Sequence, residues 1–190
     1  MENPLVYQGS DLDKPSLFIG VSKGIIALQK AICQNMTPFG SIYKSGNTSE
    51  AIANLYSFPK INMMIYEEQY LNSCIHVLKL FPSVHNFVVA TTISPNSQEN
   101  VPDIPPPFMV DISTESVTSE EKIPGFLDFA SSATLTYCIK HKIGSLIMAC
   151  FIDSNGITAN ALCEVANRLS SVFNYDIDST VEQALSIYKS

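Results

Sequence analysis

Ser16-Leu17-Phe18-Ile19-Gly20-Val21 runs through Ser22-Lys23-Gly24 into Ile25, Ile26, Leu28, Ala31 and Ile32. The first six residues are almost continuously apolar and are bounded by Pro15 and the Ser-Lys-Gly turn, as a strand buried on both faces would be. The apolar positions that follow recur at helical spacing until Thr37-Pro38 breaks them. The same alternation then repeats along the chain. Residues 39–43 read as a strand, 50–56 as one or two helical turns, and 61–66 as a strand. Glu67-Glu68 open a helix whose apolar positions Tyr70, Leu71, Cys74, Ile75, Leu78 and Phe81 step by three and four, with Pro82 closing it. Residues 87–93 form another strand. Strand and helix in alternation predict an α/β fold, a layered α/β/α sandwich around a mostly buried central sheet.

The pattern dissolves over residues 94–124, where Pro95, Pro102 and Pro105-Pro106-Pro107 oppose helix and ladder alike and residues 113–121 are polar and acidic. A long helix over 125–141 follows, then the most apolar strand, 143–152. Asp153-Ser154-Asn155-Gly156 turns the chain into a helix carrying Leu162, Val165, Ala166, Leu169 and Phe173, and Asp178-Ser179-Thr180 start a last helix over 181–188. The expected organisation is a polar arm over 1–14 and a single α/β domain over 15–190, with a loop at 94–124 and a C-terminal tail at 186–190.

Composition narrows the function classes. Of 190 residues, 11 are Lys or Arg and 18 Asp or Glu, a net charge of −7 and a charged fraction of 15%, against ~25% for an ordinary soluble domain. Hydrophobic residues reach 46%, which excludes a disordered acidic chain. A pI near 4.8 opposes general attraction to nucleic-acid phosphates. So few charges suggest surface hidden against a partner. There is no leader pattern, no membrane-length apolar run and no CxxC among Cys33, Cys74, Cys138, Cys150 and Cys163. The expectation is an intracellular protein with buried free thiols and idle glycosylation sequons at Asn35 and Asn47.

Gly20-Val21-Ser22-Lys23-Gly24 is the sharpest enzyme-like motif, a G-x-S-x-G between strand and helix, as in a hydrolase nucleophile elbow. A serine hydrolase, or a diverged nucleoside-processing enzyme, is the rival reading it supports. The base would have to be His85 or His141, with Asp103, Asp111 or Asp128 as the acid before His141. The plainer reading is a tight turn with glycines for steric reasons and Ser22 as N-cap. Neither a P-loop nor GxGxxG is present, and Phe151 occupies the first ligand position of the calcium-loop echo at 153–156. His76 and His85 read as structural, with His76 on a helix face near the core. Glu115, Glu120 and Glu121 read as a solvated part of the loop, and the proline run as a connection rather than a polyproline ligand. No catalytic residue, metal or cofactor is expected. The chain ends Leu185-Ser186-Ile187-Tyr188-Lys189-Ser190, an apolar residue and a tyrosine close to a free carboxylate.

Several strings, in this order, resemble the proteasome assembly chaperones, specifically the first subunit of the eukaryotic heterodimeric pair. They are Lys14-Pro15-Ser16-Leu17-Phe18-Ile19, Ile104-Pro105-Pro106-Pro107-Phe108, and the stretch from Ile123-Pro124 through Ala133-Thr134-Leu135-Thr136-Tyr137-Cys138 to Lys142-Ile143. The resemblance implies a phosphorylase-like α/β sandwich without the enzymatic site, cytoplasmic and nuclear, paired with a second, homologous chaperone subunit on the proteasome α-ring. It also implies that the C-terminal tail enters a pocket between α subunits, so that Ile187, Tyr188, Lys189 and Ser190 are the expected partner-binding residues. The family pattern has one residue after the tyrosine. Here Lys189 and Ser190 both follow, moving the carboxylate up to ~3.5 Å further out. An obligate partner would account for the low charge, and the chain alone would then self-associate.

Overall fold

Period-two burial organises the molecule around one mixed sheet. The structure, a computed structural model, describes residues 4–67, 74–94, 104–174 and 177–190. Eight strands pair in the order β1-β3-β4-β5-β2-β6-β8-β7. They are β1 (Leu5–Gly9), β2 (Ser16–Gly20), β3 (Gly40–Lys44), β4 (Ala53–Ser57), β5 (Asn62–Tyr66), β6 (Asn86–Ile93), β7 (Phe108–Ser113) and β8 (Gly144–Phe151). The central four, β5, β2, β6 and β8, are parallel, and the flanking pairs are antiparallel.

Alternation sorts the central side chains onto two faces. Leu17, Ile19, Met64, Phe87, Val89, Ile147, Ala149 and Phe151 share one core. Helices α2 (Cys74–Leu78) and α3 (Phe129–His141) cover it with Val77, Leu78, Leu135 and Cys138. Phe18, Met63, Ile65, Val88, Met148 and Cys150 face the other way. Helices α1 (Lys23–Ile32), α4 (Ala159–Phe173) and α5 (Val181–Lys189) cover that side with Ile25, Leu28, Leu162, Leu169, Phe173 and Ala184. Helix α1 is buried nearly all round because it lies over the sheet and also packs against α4 and α5. A helix apolar on every side requires that.

Local signals set the helix ends. The Asp128 carboxylate caps α3, accepting from the Ser131 N–H at 2.9 Å and its hydroxyl at 2.7 Å. Thr158 caps α4 by accepting from the Ala161 N–H at 3.2 Å. Lys142 and Asn174 close α3 and α4 in the left-handed conformation.

Three segments differ from the sequence reading. Residues 5–9, expected in a polar arm, form an edge strand in antiparallel register with β3. Residues 53–57, expected as helical turns, are β4, whose burial alternates at Ala53, Asn54, Leu55 and Tyr56. The period is two, but over so short a run Glu50, Ala51 and Ala53 imitate a helix turn. Residues 108–113, expected in the long loop, are β7, an edge strand along β8. Its three preceding prolines stay out of the ladder, as edge strands allow. The rest of the loop includes a 3-10 turn, Glu120–Lys122, where Glu120 pairs with Lys140 at 3.2 Å rather than standing free. The sequence features placed at residues 68–73 and 95–103, and the Cys74 side chain, lie outside the described residues.

Candidate functional site

The G-x-S-x-G motif spans the end of β2 and the start of α1, and its glycines are there for packing. A Cβ on Gly20 would stand 2.3 Å from the Gln29 Oε1, and one on Gly24 would stand 1.6 Å from the Ile157 Cδ1. Ser22 has ordinary extended torsions, φ −126 and ψ 154, without the strain of a nucleophile elbow. Its hydroxyl does not cap α1 but accepts from the Thr92 N–H at 3.1 Å, tying the turn to the end of β6.

The proposed bases are elsewhere. Ser22 lies beyond the C-terminal end of β2, whereas the His85 N–H donates to the Pro15 carbonyl, just before β2 begins. Seven residue steps along the strand direction separate these levels, roughly 20 Å. His141 ends α3 beside the same N-terminal end of the sheet, its ring tilted against Tyr137 at 4.4 Å between centroids. Of the candidate acids, Asp128 caps α3 and Asp111 pairs with Arg168; Asp103 lies outside the described residues. His76 is exposed on α2 rather than near the core. The triad therefore does not assemble from the described residues. A fluorophosphonate probe should label wild-type and Ser22→Ala equally, at background; labelling abolished by the substitution would restore the hydrolase reading. The loss of one backbone-to-hydroxyl bond should cost Ser22→Ala about 1 kcal/mol of stability, read by denaturant melting.

Among the described residues, no group of three or more His, Cys, Asp or Glu could hold a metal ion, and no helix is long and apolar enough to cross a membrane. Burial pushes the Cys33, Cys138 and Cys150 thiols up to about 12. Cys163, expected inside, is exposed on α4. A raised thiol pKa withholds thiolate at neutral pH. Iodoacetamide at pH 8 should accordingly modify Cys163 in the native chain and spare Cys33, Cys138 and Cys150 until it is unfolded, as mapped by mass spectrometry. Native modification of Cys138 would contradict the packing described here.

The tail residues are not a free extension. Ile187 and Tyr188 lie in the last turn of α5, half-buried against α1, while Lys189 and Ser190 are exposed. The Ser190 hydroxyl donates to the Ile187 carbonyl at 2.7 Å and closes the helix. The Lys23 Nζ sits 5.5 Å from the Tyr188 ring centroid. On another side, the Tyr188 hydroxyl reaches the Gly156 turn, 3.7 Å from where a Cβ would be. A cavity of about 240 Å³ separates the helices, lined by Lys23, Ile26, Lys30, Ile187, Tyr188 and Ser190 among others. Lys30 reaches past it to Glu67 at 3.2 Å. Ile187 and Tyr188 are thus brought together with Lys23, a residue the sequence reading placed in the G-x-S-x-G turn and did not connect with the tail. Its one sequence signal was a cation at the first helical position, where it opposes the helix dipole.

Solved structures with this fold cover almost the whole chain. PbaA of Pyrococcus furiosus, described as an archaeal homologue of proteasome-assembly chaperone, superposes with a TM-score of 0.66 at 12% identity, over 98% of this chain and 94% of its own. PbaB of the same organism, described as an archaeal proteasome activator, gives 0.63 at 11% identity, over 99% and 97%. A Mycobacterium tuberculosis proteasome-assembly chaperone homologue gives 0.54 at 10%, over 92% of each chain. No protein-family model and no curated protein matches the chain. The mixed eight-stranded α/β architecture is therefore the one these proteins share.

Proposed function

We propose that this chain is a non-catalytic chaperone for assembly of the 20S proteasome α-ring, in cytoplasm and nucleus, corresponding to the first subunit of a heterodimeric pair. The carrying observation is a fold shared with PbaA over 98% of the chain, in a chain that carries Ile187-Tyr188 two residues before its last. A fold hosts many functions, so the terminal pair is what directs the reading. Ile187 and Tyr188 would enter an apolar slot between α subunits, and the Ser190 carboxylate would approach a basic group in it. A net charge of −7 favours approach to such a pocket.

The mechanism is occupancy. A heterodimer that holds several α subunits together raises their effective concentration for one another and blocks off-pathway contacts. Nothing in it needs a reactive serine, in keeping with Ser22 bonded to the Thr92 amide. Affinity capture of the tagged chain from its own cells, followed by identification of the bound proteins, should recover proteasome α subunits and one homologous chaperone chain. Recovery of neither would refute the reading.

A further inference from the structure

We infer that the last turn of α5 is a latch that holds the tail's docking pair against the chain's own body and releases it only when that turn unwinds. The inference rests on the tail-docking reading. Tyr188 lies under the Lys23 ammonium, with its hydroxyl near the Gly156 turn, while Ile187 packs on the core beneath α1. In a helix, successive side chains diverge by roughly 100°, so Ile187 and Tyr188 cannot enter one slot side by side while α5 stays wound. The final turn is also the cheapest part of the helix to open. Its last carbonyls lack the backbone N–H partners that an interior turn has, the Ile187 carbonyl keeping the Ser190 hydroxyl alone, and Lys189 and Ser190 bury little.

The first turn of α1 explains why Lys23 is the catch. A lysine there works against the dipole of its own helix, and its side chain is directed instead over the tyrosine ring. If most molecules are latched, the apparent affinity for a pocket is reduced by the fraction that is open. Removing the cation–π contact should enlarge that fraction about 2- to 5-fold.

The test uses the full chain, its Lys23→Ala and Lys23→Arg variants, and a peptide of residues 183–190, each titrated with purified 20S core particles. Amide hydrogen exchange over 187–190 is followed in the free chains. Lys23→Ala should exchange faster there and bind particles about 2- to 5-fold more tightly, with Lys23→Arg returning both towards wild type. If the peptide binds but Lys23→Ala matches wild type in affinity or exchange, the latch is wrong and tail docking stands. If the peptide does not bind and a chain lacking residues 187–190 binds as well as wild type, tail docking fails and takes the latch with it.

Discussion

A chain truncated after Ser186 should bind 20S core particles roughly 30-fold more weakly than the full chain, or worse, while still pairing with its chaperone partner. A buried aromatic anchor at an interface centre contributes about 2 kcal/mol or more, and each 1.4 kcal/mol is tenfold in affinity. Truncation removes Ile187, Tyr188 and the native position of the carboxylate together. Its cost to the fold is small by comparison, because the two residues are half-buried and nothing of the sheet depends on them. Tyr188→Ala gives the same answer with the helix length preserved. Titration with core particles measures the first effect and co-purification of the two chaperone subunits the second. Unchanged particle binding by both variants would show that the chain meets the α-ring through some other surface.

Phe173→Ala should lower stability by about 3–5 kcal/mol, a large part of the ~5–15 kcal/mol available to a domain. Phe173 is fully buried as the last residue of α4. Its ring meets Phe18 of β2 and Phe58 after β4, each at 5.0 Å between centroids and edge-on. Those three rings join one end of α4 to the sheet and to the turn between β4 and β5. Truncation leaves a cavity that three different elements would have to close. A fall in Tm of about 10 °C or more is expected. A loss below ~1 kcal/mol would mean that the aromatic cluster repacks freely.

The low charge content does not by itself require a hidden interface. Among the described residues, Val6, Ile104 and Phe129 are the large hydrophobic side chains that stand exposed. The accessible surface, 9512 Å², is close to the ~8,900 Å² that the surface–mass relation gives for a monomer of 20.8 kDa. Two apolar layers, one on each side of the sheet, consume the hydrophobic residues. Heterodimer formation therefore does not follow from composition, and rests on the family resemblance.

Strands β2, β3, β5, β6 and β8 and helices α1, α3, α4 and α5 were all legible in the sequence. Each carries its own signal: an unbroken apolar run where both strand faces are covered, or three-and-four spacing where one helix face is. The exceptions share a cause. Strands β1, β4 and β7 lie in the antiparallel parts of the sheet, with one face or one edge open, so their apolar pattern is short and mixed. What makes β1 and β7 strands is the ladder to a partner distant in sequence, as when Phe108 pairs with Phe151, whereas β4 is held between its neighbours β3 and β5. The Ser22 hydroxyl was likewise read as a helix cap, because a local window does not contain Thr92.

By itself, then, the sequence determined the α/β class, the central strands and the helices on both faces, because burial on a sheet or helix writes a period into neighbouring residues. It also supplied the terminal Ile187-Tyr188 pair. The tertiary structure alone decided that Ser22 stands at the opposite end of the sheet from His85 and His141, and that the tail rests on Lys23. Parallel strands place every strand-to-helix turn at one edge, and α5 runs back to that same edge. Lys23 and Tyr188 meet there through the order of the strands, which no local stretch of sequence encodes.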